Sequence, residues 1–166
     1  MIKKTLIAIL VLILVGFSVK SCMAILPKSN MRPSDYDIGM TYEKAKSQDL
    51  PVLAVFYADW CTYCIKFMPK LDKVRNIYRG DINVVLVDVE NPKNEALVKE
   101  YKISAFPTVY IIDPKLDYHS HIDSPYLSSV DSLGKEVAQY INLRKLVQKG
   151  TCLLYTSPTP RDGLLS

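Results

Sequence analysis

The sequence predicts one mixed α/β sandwich, a central sheet covered by helices on both faces, and three observations carry that prediction. Val52-Leu53-Ala54-Val55-Phe56-Tyr57 is a near-continuous apolar run bounded by Pro51 and Asp59. Its length and its branched and aromatic content suit a strand buried on both sides. From Cys61 onward the apolar spacing changes to that of a helix. Farther along, residues 108–112 (TVYII) and 118–122 (YHSHI) flank an Asp113-Pro114 turn and can pair as an antiparallel hairpin.

Taken in order, the elements alternate. Thr41 caps a short helix through Ser47, with Tyr42 and Ala45 on one face, and Pro51 stops it. The apolar strand follows. Over residues 61–79, Ile65, Met68, Leu71, Val74 and Ile77 recur every three positions among charged residues, an amphipathic helix ended by Gly80. Pro69 lies inside it and removes one backbone donor. Residues 82–89 (INVVLVDV) form the next strand, and Asn94 caps a short helix with Ala96, Leu97 and Tyr101. After the hairpin, residues 130–146 read as a closing helix with Leu133, Val137, Tyr140, Ile141 and Arg144 on one side; Gly134 weakens its start. Helical crossovers between the early strands imply a parallel core.

Chemistry concentrates at Trp60-Cys61-Thr62-Tyr63-Cys64, where the buried strand turns into a helix. Cysteines three apart in a first helical turn can approach closely enough for a disulfide. A sulfur at the helix start faces unsatisfied N–H groups and the positive end of the helix dipole, which favour the thiolate that attacks in exchange. Cys64, one turn inside, suits the resolving role. A structural disulfide or half of a zinc site are the plain alternatives. Zinc needs further ligands, and His119 and His121, the only histidines, are spaced unsuitably and read as exposed hairpin residues. No metal and no cofactor is expected. Asp59 reads as a solvated turn residue, and Lys66 and Lys70 as an exposed helix face.

These residues resemble the thioredoxin superfamily. The segment YADWCTYCIKFMPKLDK is similar to its active-site segment in Tyr57, Asp59, Trp60, both cysteines, and Pro69 eight residues after Cys61. Residues 101–108 (YKISAFPT) resemble its second motif, in which a cis proline precedes a strand and packs beside the cysteine pair. The resemblance covers residues 41 to 146. It implies a thioredoxin fold, catalytic Cys61 and Cys64, a cis Pro107, a Phe106 backbone that pairs with an extended substrate, and a Trp60 that lines the substrate surface. Two positions depart from the family pattern. Val55 stands where thioredoxins carry a buried aspartate, and Thr62-Tyr63 replaces the Gly-Pro of reducing thioredoxins. The dipeptide shifts redox poise.

The ends of the 166-residue chain read differently. Residues 1–24 begin with Lys3 and Lys4 and continue into an uncharged apolar run, the layout of a secretory signal. Residues 6–19 would rise roughly 21 Å as a helix, short of a ~30 Å hydrocarbon core. Cleavage after Ala24, retention as an anchor through residues 5–26, and lipidation at Cys22 all deliver the rest outside the cytoplasm, in the periplasm or on the outer face of the membrane. Residues 25–40 read as a linker and 41–149 as the domain. Residues 150–166 read as a non-native tail: residues 152–162 (CLLYTSPTPRD) resemble an out-of-frame translation of a sequencing adapter. Without Lys3, Lys4, Lys20 and Arg161 the 21 basic residues fall to 17, and without Asp162 the 17 acidic ones fall to 16. That balance gives no electrostatic case for nucleic acid.

The expectation is an exported thiol–disulfide oxidoreductase that reduces disulfides in exported proteins. Its partners would be protein thiols and disulfides and a membrane-embedded or exported redox protein. An oxidase or isomerase of the same proteins is the close alternative, and a non-catalytic client-binding module the distant one.

Overall fold

The computed structural model describes residues 31–150. A four-stranded sheet in the order β2-β1-β3-β4 is built from β1 (Val52–Tyr57), β2 (Asn83–Asp88), β3 (Thr108–Asp113) and β4 (Tyr118–Ile122). β1 runs parallel to β2 with Val55 opposite Leu86, and antiparallel to β3 with Val55 opposite Val109. β3 and β4 form the expected hairpin. The helices are α1 (Tyr42–Lys46), α2 (Thr62–Ile77), α3 (Glu95–Glu100) and α4 (Val130–Gln148).

Alternation along the strands sorts the core into two layers. Leu53, Val55 and Tyr57 of β1 join Phe67, Met68 and Leu71 of α2 and Leu133 and Val137 of α4 in one cluster. Val52, Ala54 and Phe56 join Ala45 of α1, with Leu97 and Val98 of α3 packed alongside, in the other. All six β1 residues are buried, as a central strand covered on both faces requires. The mixed sandwich of the thioredoxin fold is therefore the observed architecture.

Four sequence expectations need correction. Residues 31–40 are not a free linker: Tyr36 and Ile38 are buried in the core cluster, and the Met40 amide donates to the Val84 carbonyl. Gly39 makes that approach possible, because at φ +104° a Cβ would stand 2.6 Å from the Val84 oxygen. Ile77 is exposed. Three residues turn a helix by only 300°, so a strict three-residue repeat walks around the cylinder; the buried stripe runs instead through Cys64, Phe67, Met68, Leu71 and Val74. Asn94 does not cap α3 with its side chain. A 3₁₀ turn at Pro92–Asn94 starts earlier, with Asn91 accepting from the Lys93 amide, while Asn94 donates to the Asp88 carbonyl. Finally, Tyr101 is not within α3 but closes it, its ring packed on Phe56 and Tyr110.

α4 is pinned to the sheet by charge as well as by packing. Asp113, fully buried at the end of β3, accepts from Tyr140 at 2.9 Å and from the Arg144 guanidinium, which also reaches Asp49 at 2.7 Å. Removing the arginine would strand a buried carboxylate. Arg144→Ala is expected to cost about 3–5 kcal/mol, whereas Asp49→Ala, which removes an exposed partner, should cost under about 1 kcal/mol. Urea titration of the full chain checks both values.

Candidate active site

β1 and the first turn of α2 place the cysteine pair. The buried strand ends at Tyr57, the Cys61 amide donates back to the Ala58 carbonyl, and the chain enters α2 with Cys61 as its N-cap residue. A cap needs a side-chain acceptor for an orphan amide. Here sulfur supplies it: the Cys64 N–H donates to Cys61 Sγ at 3.2 Å. Both residues are thiols. Cys61 is almost covered and Cys64 fully so. Burial, and then the Cys61 sulfur beside it, push the Cys64 thiol up to about 12.

The second motif closes over the first. The Phe106–Pro107 peptide bond is cis. The Cys61 thiol donates to the Phe106 carbonyl at 3.6 Å, which brings the two segments together across 45 positions of sequence. Trp60, two-thirds exposed, sets its ring edge-on to Phe106 with centroids 6.2 Å apart. All five residues singled out beforehand, Trp60, Cys61, Cys64, Phe106 and Pro107, thus stand in one place. Val55, at the departing position, is buried in the same cluster as Cys64. His119 and His121 sit apart on β4, against Tyr110.

This assembly has the form that thiol–disulfide exchange requires, one sulfur at the helix start beside the cis-proline segment and a second, fully covered sulfur behind it. The chain matches the thioredoxin family over residues 39–125, more than half its length. The chain belongs to the thioredoxin family. It is 34% identical over 106 residues to a mitochondrial thioredoxin domain-containing protein of Schizosaccharomyces pombe, covering 64% of this chain and 26% of that one. It is 29% identical over 110 residues to a thiol:disulfide interchange protein, the TxlA homolog of Synechocystis, covering 66% and 53%. The chain thus spans about a quarter to a half of those relatives. Among solved structures it resembles chloroplastic thioredoxin z, with a TM-score of 0.54 at 22% identity over 65% of this chain and 96% of that one, a likeness of fold.

Within this thioredoxin domain several residues gain contacts that the sequence reading left out. Asp59 is not merely solvated; it accepts from the Ser34 amide and hydroxyl at 3.0 and 2.6 Å, tying residues 31–40 to the motif. Trp60 Nε1 donates to Glu90 at 2.9 Å. The sequence carries no local signal of that bond; it follows from the parallel register, Tyr57 opposite Asp88, which brings the two strand ends side by side. Lys70 is half-buried rather than exposed, its ammonium 3.5 Å from the Leu127 carbonyl.

The raised Cys64 thiol has a kinetic consequence. The thiolate reacts, and below pH 12 its fraction grows as pH rises. In Cys61→Ser, iodoacetamide labelling of Cys64 is expected to accelerate about tenfold per pH unit from pH 7 to 10 without a plateau. In Cys64→Ser, Cys61 should label far faster at pH 7. Peptide mass mapping reads both rates.

Proposed function

We propose that this chain is an exported thiol–disulfide oxidoreductase that reduces disulfides in exported proteins, with Cys61 as the attacking and Cys64 as the resolving sulfur. The observation that carries the reading is the sulfur N-cap: Cys61 Sγ accepts the Cys64 amide at the head of α2, where backbone donors and the helix dipole favour negative charge. The thioredoxin family and a thiol:disulfide interchange relative support the same chemistry.

In the first step the Cys61 thiolate attacks one sulfur of a substrate disulfide. A Cys61–substrate bond forms, the substrate S–S bond breaks, and the other substrate sulfur leaves as a thiolate. In the second step Cys64 loses its proton to that departing thiolate or to water, attacks Cys61 Sγ, and displaces the second substrate sulfur. The substrate has gained two electrons and the protein holds a Cys61–Cys64 disulfide. With Val55 in place of a carboxylate, no side chain on β1 takes the proton. Burial keeps Cys64 protonated, so it cannot compete with Cys61 for the first attack. Trp60, Phe106 and Pro107 form the surface against which the substrate backbone lies.

Turnover in this direction needs electrons from a donor across the membrane, hence a membrane-embedded or exported redox partner. The basic start and apolar run of residues 1–24 support export, by cleaved signal, lipid or anchor; they lie outside the described residues, as does the tail at 150–166 beyond Gly150. No helix among the described residues is long and apolar enough to cross a membrane.

Insulin reduction by the full chain tests the activity: wild type is expected to turn over and Cys61→Ser to fall to background. Equal rates would make the domain a client-binding module instead. Trp60 is the only tryptophan, so its fluorescence follows the couple in redox buffers and fixes the direction. A potential near roughly −270 mV fits a reductant, and one near roughly −120 mV an oxidase.

A further inference from the structure

Beside the cysteine pair the surface opens into a groove of about 420 Å³. Three segments wall it: the N-terminal half of α2, the loop carrying Pro107, and the turn at residues 124–128. Phe67 and Leu127 are buried and give it an apolar base. Its charged lining is of one sign, Lys66 and Lys70, with no carboxylate among the lining residues. Lys66 is exposed and makes no ion pair among the described residues; Lys70 leans on a backbone carbonyl. Asp59 is engaged by Ser34 and Glu90 by Trp60.

The spacing of the two lysines matches an extended chain. Four residues of α-helix rise about 6 Å, and two residues of strand rise about 6.7 Å. A peptide laid in the groove along α2 therefore presents alternate side chains to successive lysines. Two such ion pairs at a partly covered surface change selection among substrates more than they change intrinsic chemistry.

We propose that this groove is a specificity subsite for the substrate segment flanking the attacked cysteine, selecting an extended segment with acidic side chains at alternate positions, and that Lys66 and Lys70 determine that preference. The inference rests on the exchange reading of Cys61 and Cys64 and deepens it by naming a substrate class.

The test uses three peptide disulfides that differ only in the flank beside the cysteine: Glu-x-Glu, Gln-x-Gln and Lys-x-Lys. kcat/KM for each is measured with the full chain, wild type and the Lys66→Glu/Lys70→Glu double variant, at low and high salt. Wild type is expected to favour the acidic over the neutral flank by about tenfold. High salt should shrink the ratio, and the double variant should invert it in favour of the lysine flank. Each ratio is internal to one protein, so partial unfolding of a variant cancels. Equal rates on all three peptides in wild type, or an acidic preference that survives in the double variant, overturns the subsite while leaving exchange intact. Failure to reduce any peptide overturns the exchange reading and the subsite with it.

Discussion

The Cys64 amide donates to the Cys61 sulfur across 3.2 Å at the point where β1 gives way to α2. The rest of the molecule serves to hold that bond in place. β1 is buried along its whole length between two layers, so its end cannot wander, and the first two turns of α2 are fastened by Cys64, Phe67 and Met68 in the core. A helix start would ordinarily spend its orphan amides on a serine or aspartate. Placing sulfur there aims a backbone donor at Cys61 Sγ, the attacking atom of the proposed exchange. The same burial that anchors the turn keeps its second sulfur protonated, so one packing arrangement separates the two proposed roles.

Around that pair the environment is uneven. On the side of β1 and β2, Trp60 is held by Glu90 and by the Phe106 ring, and Asp59 clasps Ser34. On the other, the groove beyond Phe106 and Pro107 is apolar at its base and basic along its wall. The family's exchange chemistry needs only the two sulfurs and the cis-proline segment. The lysines of the groove wall stand outside that minimum, where discrimination among client disulfides can arise without altering the reaction.

Much of this was legible in the sequence because the informative signals were local. The β1 run reads as a buried strand without reference to anything else, and the strand–Cys-x-x-Cys–helix order places Cys61 at a helix start by counting. The hairpin and the stripe of α4 through Arg144 followed from periodicity and turn residues. What failed to read was long-range. Tyr36 and Ile38 look like isolated apolar residues in a polar segment, and only Gly39 against the Val84 carbonyl shows why they pack. Glu90 and Lys70 carry no local signal of their bonds to Trp60 and Leu127. Asn94 was a reasonable cap by type, but Pro92 had already begun the turn two residues earlier.

Trapping of the mixed disulfide bears most directly on the division of labour between the two sulfurs. Full-length Cys64→Ser and Cys61→Ser are each incubated with a peptide disulfide at neutral pH, and adducts are mapped by mass spectrometry. A covalent adduct on Cys61 in the first variant, with none on Cys64 in the second, is the result expected from a sulfur-capped helix with a protonated thiol behind it. An adduct forming at Cys64 as readily as at Cys61, or at neither, would contradict it.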